Sequence, residues 1–409
     1  MEIVNAYAKK MVFASFLVLA FSLFMSVSLS AVHHVLLILP AIWLAFLSIK
    51  NKKYFISYSH LFLLCVIIFS IISVLFNVDI IASPVKNIFK VKYLMLGFLG
   101  TYAVIETFQT NKVENNKIKL LVNLLLISTT IATIAGLIGA FWGYNPLKMK
   151  EITSFRASGM FGMIMSYAYA LSILLTGIFA ALVNRKTINV YVTPWILWSA
   201  ALINLLGLYF SYTRGATIAF MAALPFIIYH KNKKLFGILF GMALILLIAV
   251  GSIVATKSTV RFYRFSGISS ELKRMSVYKT VSKMIIEKPV YGVGYRNVEP
   301  MCPVYKTKYN VEGTFCGHAH NNYLEMLAGT GVMGFVAFMI FLFFWLYEMM
   351  KRKDIIAMIT VGMIVNFMIS GMTQSTIIDS EVTFLLMALY MLSQIIPINR
   401  GMKYESPIS

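Results

Sequence analysis

The chain has 409 residues, 59% of them hydrophobic and only 12% charged, with a formal net charge of +21 and a mean hydropathy of +0.80. A soluble domain carries about 25% charged residues, so that class is excluded. The basic residues lie between apolar runs instead of on one continuous face, which points to topology signals and phosphate-bearing lipids and away from nucleic acid.

Apolar runs of about 18 residues or more recur along the chain, each long enough to cross about 30 Å of hydrocarbon as a helix. Backbone inside a bilayer must satisfy its own hydrogen bonds, so helices are expected. The alternating ten-residue segments of a barrel are not seen. The sequence predicts about twelve spans, at 12–30, 33–49, 60–80, 91–109, 119–142, 160–183, 190–210, 215–230, 235–255, 322–350, 355–374 and 377–396. The fold class is an all-α polytopic membrane protein, a single integral membrane domain over 1–409. The first run is too long for the apolar core of a cleavable signal peptide and lacks a convincing cleavage site.

Alternate connections are short and basic. They hold Lys50, Lys52 and Lys53; Lys112, Lys117 and Lys119; Arg185 and Lys186; Lys231, Lys233 and Lys234; and Lys351, Arg352 and Lys353. By the positive-inside rule these five loops and both termini face the cytoplasm. The remaining loops face outward and are brief, except residues 256–321. That loop carries eleven Lys/Arg against four Glu, a net of +7. Lys86, Lys90, Lys92, Lys148, Lys150 and Arg156 add outward positive charge. An anionic partner outside accounts for the excess, as does contact with lipid headgroups.

Within the long loop, residues 271–287 read as an amphipathic helix. Lys273, Ser276, Lys279, Thr280, Lys283 and Glu287 share one face; Met275, Val277, Tyr278, Val281, Met284 and Ile285 share the other. Arg274 falls amid the apolar face, where a guanidinium must be paired, snorkel, or bind an anion. Arg214, at the outer junction of spans seven and eight and followed by Gly215, suits either a phosphate site or an interface anchor. His318 and His320 lead into span ten; an imidazole is a candidate general base, or a helix-end residue satisfied by backbone. Zinc is disfavoured, because usual ligand spacings are lacking. Gly329, Gly331 and Gly334 imply close helix packing. The Pro289–Tyr295 stretch reads as a turn ending the amphipathic helix, since it lacks the context of a dinucleotide fingerprint. Cys302 and Cys316 share the outward loop, an oxidising location on this topology, and are expected to form a disulfide worth about 3 kcal/mol for a loop of roughly 15 residues. Cys65 is expected as a core thiol. No outward acidic pair stands ready for a divalent cation and no phosphate-binding loop is present.

Four ordered stretches resemble the bacterial O-antigen ligase and polymerase family. Arg156-Ala-Ser-Gly159-Met-Phe161 resembles its R-x-x-G-x-F segment, and Thr213-Arg214-Gly215-Ala216 its S-x-T-R-G/A segment. Arg274 through Pro289, Gly292 and Gly294 resembles R…P-x-x-G-x-G, and His320-Asn321 through Gly331 and Gly334 resembles H-N…G-x-x-G. The resemblance covers about residues 150–350. An asparagine-proline pair usual after the first segment is absent, where Met163–Tyr167 stand. The resemblance implies a GT-C-like glycosyltransferase architecture at the bacterial inner membrane with a periplasmic active site. It implies glycan transfer from undecaprenyl pyrophosphate to a sugar hydroxyl of lipid A-core, with inversion and without metal or cofactor. Arg214 and Arg274 would bind the donor diphosphate, with Arg156 and Arg264 as weaker candidates. His320 would take or orient the acceptor proton, with His318 and Asn321 positioning the acceptor. Readings left open are an O-antigen polymerase, a protein O-oligosaccharyltransferase and, in another class, an anionic-lipid transporter, which lacks support from a two-half repeat or a midplane ion site.

Overall fold

A computed structural model describes residues 2–51, 57–109, 115–242 and 268–395. Arg264 and most of the expected ninth span lie outside these residues; of that span and its approach, 233–242 are helical. Seven helices are long and apolar enough to cross a membrane, and four shorter apolar helices accompany them among the described residues.

The helices that build the bundle are α1 (Glu2–Ser22), α2 (Val27–Lys50), α3 (Tyr58–Leu75), α4 (Pro84–Lys90), α5 (Lys92–Val104) and α6 (Asn115–Trp142). A two-residue antiparallel pair follows, β1 (Tyr144–Asn145) with β2 (Lys150–Glu151). Then come α7 (Ile164–Val183), the short α8 (Arg185–Ile188), α9 (Pro194–Phe210) and α10 (Arg214–Ala223). Beyond the undescribed stretch lie α11 (Ile268–Glu287), α12 (Val298–Tyr309), α13 (Asn322–Lys351), α14 (Ile355–Ser370) and α15 (Ser380–Ser393).

Several boundaries depart from expectation for identifiable reasons. The first helix begins at Glu2, ten residues early, so Lys9 lies within it and reaches Glu106 at 3.7 Å. The sixth expected span, α7, starts at Ile164, because the turn at 156–163 precedes it. The eighth expected span, α10, tightens to a 3-10 turn at Leu224, where Pro225 removes an amide donor. Elsewhere side-chain caps set the starts: Ser26 accepts from the Leu29 amide, Ser57 from His60, and Asp354 from Ile356 and Ala357.

α7 is the centre of the bundle. Its apolar window is 83% buried, against 33–50% for the other long helices, whose outer faces are left for lipid. It packs on α9, α10, α14 and α15, while α13 packs on α3 and α1 on α2. Polar pairs tie these helices together. Asn366 accepts from Ser172 Oγ and Ser370 Oγ and donates to Thr176 Oγ1, and Tyr167 donates to Thr133 Oγ1, which donates to Asn204 Oδ1 at 2.6 Å. Each such bond is worth about 0.6 kcal/mol in a bilayer, so they fix register more than they hold the fold.

The described part of the long loop forms its own small core of Val277, Val281, Met284, Val293, Val298, Cys302, Tyr305, Ala319 and Ala328. Cys302 and Cys316 are joined by a disulfide with a Cα–Cα separation of 5.7 Å. α11 turns Val277, Thr280, Val281 and Met284 inward. The expected face was rotated: Met275 is exposed, while Thr280 is buried, its hydroxyl satisfied by donating to the Ser276 carbonyl within the helix. Lys306 is tethered by its ammonium to Ser276 Oγ and to the carbonyls of Gly313 and Phe315, which closes the 310–315 turn over α11.

The glycines of α13 serve a purpose other than helix–helix packing. Gly331 sits at φ 68° and ψ −173°, a break inside the helix. The 289–294 turn docks on the break: Val293 N donates to Ala328 O, Gly294 N to Gly329 O, and Val332 N to Pro289 O, all at 2.8–2.9 Å. A Cβ at Gly331 would lie 2.1 Å from the Val290 carbonyl oxygen, and one at Gly292 2.4 Å from that of Ala328. Both positions need glycine for backbone conformation and for close approach.

Candidate functional site

The turn 371–379 between α14 and α15 is the hub around which the expected residues collect. Gln374, 1% exposed, holds both histidines through one amide. Its Oε1 lies 2.9 Å from His320 Nδ1, and its Nε2 lies 3.0 Å from His318 Nε2. The amide oxygen can only accept and the amide nitrogen only donate. His320 therefore carries its proton on Nδ1 and presents Nε2 as a lone pair, while His318 accepts on Nε2. The two rings lie 4.4 Å apart. His320 sits on left-handed backbone, φ 48°.

Burial lowers the pKa of His320 from 6.5; the bond to Gln374 opposes this and the nearby charge of Arg274 adds to it. His318 falls to about 4, by burial first and then by the charges of His320 and Arg274, against the Gln374 bond. Both imidazoles are therefore neutral at pH 7, the state a proton acceptor requires.

Arg274 reaches this cluster from α11. Its charge acts on His318, His320 and the Tyr169 hydroxyl of α7. Tyr169 is bonded to Thr373 Oγ1 at 2.7 Å, one residue before Gln374. Arg214 stands at the start of α10, with an exposed side chain. The next residue, Gly215, lies so close that a Cβ there would meet Tyr169 Oη at 2.2 Å and Thr373 Oγ1 at 2.7 Å. The segments bearing Arg214, Arg274, His318 and His320 thus meet at one end of the bundle, around Tyr169, Thr373 and Gln374.

Two expected ligands are engaged otherwise. Asn321 caps α13, its Oδ1 accepting from the Tyr323 and Leu324 amides and its Nδ2 donating to Met372 O. Arg156 donates through Nε to Ser211 O at 2.8 Å and through Nη2 to Thr213 Oγ1 at 3.1 Å, which holds the approach to Arg214 in place. The R-x-x-G-x-F turn it belongs to is itself pinned: Ala157 N donates to Phe210 O, Asn145 Nδ2 to Gly159 O, and Lys148 Nζ to Phe161 O. A Cβ at Gly159, φ 51°, would strike the Tyr167 ring.

Other residues at the site were missed from sequence. Gln374 and Thr373 lie in a polar run, Thr373-Gln374-Ser375-Thr376, that separates two apolar spans and was the available signal. Glu325, buried at 4% in the first turn of α13, accepts from the Ala319 amide at 2.8 Å and from Ser375 Oγ at 3.4 Å, and so fixes the backbone between the two histidines. An acid within an apolar run is a functional signal in a membrane protein. Among the described residues no group of three or more His, Cys, Asp or Glu stands together as a metal site.

The fold and this site define a multi-pass membrane protein with cationic and imidazole groups gathered at one end of its bundle. Residues 199–339 match the family model described as O-Antigen ligase, a segment that includes Arg214, Arg274, His318 and His320. The chain is thus consistent with an O-antigen ligase family protein, in agreement with the motif resemblance. No curated protein matches the chain.

Proposed function

We propose that this protein transfers O-antigen polysaccharide from undecaprenyl pyrophosphate to a sugar hydroxyl of lipid A-core at the periplasmic face of the inner membrane. The acceptor oxygen attacks the anomeric carbon, the bond from that carbon to the diphosphate oxygen breaks, and the configuration inverts. His320 Nε2 takes the acceptor proton, and the diphosphate leaves with its electron pair. Arg274 and Arg214 bind that leaving group and oppose its growing charge, a role in which a single removed donor costs about 10²–10³-fold. Gln374 fixes the imidazole tautomer, and Arg156 and Asn321 hold the segments on which Arg214 and His320 stand. No metal is assigned a role.

The single observation that carries this reading is the Gln374 amide bridging two neutral imidazoles beside Arg274. It combines an oriented proton acceptor with a cation in one cluster, which inverting displacement of a diphosphate needs. The family match supports the substrate class. The test is reconstitution of purified protein with purified donor and acceptor lipids, without added metal or ATP. Glycan-capped core is the expected product; full turnover by correctly inserted His320→Ala and Arg274→Ala proteins would reject the assignment. A deletion strain separates ligase from polymerase: polymer accumulating on the carrier marks a ligase, and core capped with a single repeat unit marks a polymerase.

A further inference from the structure

We propose that Arg296, together with Lys90, forms a second phosphate-binding subsite, apart from Arg274 and His320, that takes a phosphate group of a lipid-linked substrate. That the phosphate belongs to a substrate rests on the transferase reading; that the subsite binds phosphate does not.

Arg296 lies two residues after the docked glycine turn and has left-handed backbone, φ 58°. With Tyr212 and His320 it is one of five non-glycine residues with positive φ among those described. Backbone held in this region persists only where surroundings impose it. They do so here. Asn77 Nδ2 donates to Gly292 O, Tyr295 N donates to Ser73 Oγ, Asn87 Nδ2 donates to Tyr295 O, and Asn297 N donates to Gly294 O, all at 3.0–3.1 Å. Asn297 Nδ2 adds a bond to Val293 O. The arginine is thus presented from a rigid frame anchored on α3 and α4.

Its guanidinium is incompletely satisfied. Nε and Nη2 are fully buried with no hydrogen-bond acceptor among the described residues. The group lies over the Tyr93 and Tyr295 rings, 5.6 and 5.9 Å from their centroids. The Tyr295 hydroxyl, too, is buried without a partner among the described residues. A rigid fork with two adjacent unused donors matches two oxygens of a phosphate. Lys90 on α4 lies within electrostatic reach of Arg296, Lys86 and Glu299, so three positive charges gather about a single carboxylate and the cluster keeps a net positive charge. The carboxylates within reach of Arg296, Asp379 and Glu325, do not bond it: Asp379 accepts from Ser166 Oγ at 3.0 Å, and Glu325 from Ala319 N and Ser375 Oγ.

The experiment uses the full chain in detergent with inorganic pyrophosphate as probe, in an Arg274→Gln background so that the first site contributes little. Pyrophosphate is expected to raise the melting temperature, and adding Arg296→Gln is expected to weaken that binding at least tenfold. Arg296→Lys, which keeps charge but loses the fork, is expected to fall between, and it serves in place of Arg296→Gln should the latter misfold. In wild-type background, steady-state transfer with Arg296→Gln identifies the source. A raised KM for the donor alone assigns the donor diphosphate, and a raised KM for the acceptor alone assigns a phosphate of the acceptor lipid. Unchanged pyrophosphate affinity and unchanged KM values, in an Arg296→Gln protein that melts like wild type, would overturn the proposal. Retained transfer in His320→Ala would reject the catalytic reading yet leave the pyrophosphate result standing.

Discussion

At one end of the bundle Arg352 lies against both oxygens of Asp354 and donates to the carbonyls of Ser393 and Ile395. At the other end Arg296 keeps two donors buried with no acceptor among the described residues, and the charge of Arg274 falls on neutral imidazoles. The contrast extends to acids. Glu348, at the first end, accepts from both the amide and the hydroxyl of Ser59, and Ser59 continues to Tyr390 and His60. At the first end these two clusters are paired within the protein and clamp α3, α13 and α15. The other presents the Arg296 donors that the proposed phosphate would fill, so the two ends differ in whether their arginines are already engaged.

The comparison can be broken first at the chemistry. His320→Ala is expected to lower the transfer rate about 10²–10⁴-fold with insertion unchanged, measured as product formed from reconstituted lipids. Next is the helix break. Gly331→Ala is expected to cost at least about 1–3 kcal/mol from the backbone conformation alone, and more from collision with the Val290 carbonyl, read as a lower melting temperature. At the closing end, Ser59→Ala is expected to cost about 1.5 kcal/mol of stability, the worth of a hydrogen bond to a carboxylate, while KM for both lipids stays at the wild-type value. The pH profile sharpens the same contrast. Because burial lowers the His320 value from 6.5, its neutral form survives below that pH, and activity is expected to hold through 6.5 and fall only as pH drops further. An acid limb centred above 6.5 would exclude His320 as the base. The smallest effect belongs to the Lys9–Glu106 pair, whose side chains are 23% and 24% exposed: a double-mutant cycle is expected to return under about 1 kcal/mol.

Much of this was legible in sequence because bilayers impose a simple rule. Apolar length marked the helices, and alternating basic loops gave an order that the described helix ends follow, with Lys50, Arg185, Lys231 and Arg352 at one end and Pro84, Ile164 and Asn322 at the other. Cys302 and Cys316 could be paired because they share one outward loop, and motif order singled out the Arg214, Arg274 and His320 segments as candidates. Gln374 was not, because its effect depends on a turn that brings position 374 against 318 and 320, a contact that no periodicity encodes. Arg296 escaped for a similar reason: nothing in a tyrosine-arginine pair announces left-handed backbone. Asn321 illustrates the reverse ambiguity, since a polar residue beside a histidine has the same spelling whether it faces a ligand or, as its bonds here show, caps a helix.

The docking of residues 289–294 on the interruption at Gly331 has a consequence for traffic. Amides and carbonyls released by that interruption are satisfied by the turn, so lifting the turn would strand several polar groups at once near hydrocarbon, where water cannot replace them. The turn is therefore a fixed wall. Any substrate reaching the Arg274 and His320 cluster must approach from another side than the segment that follows Glu287.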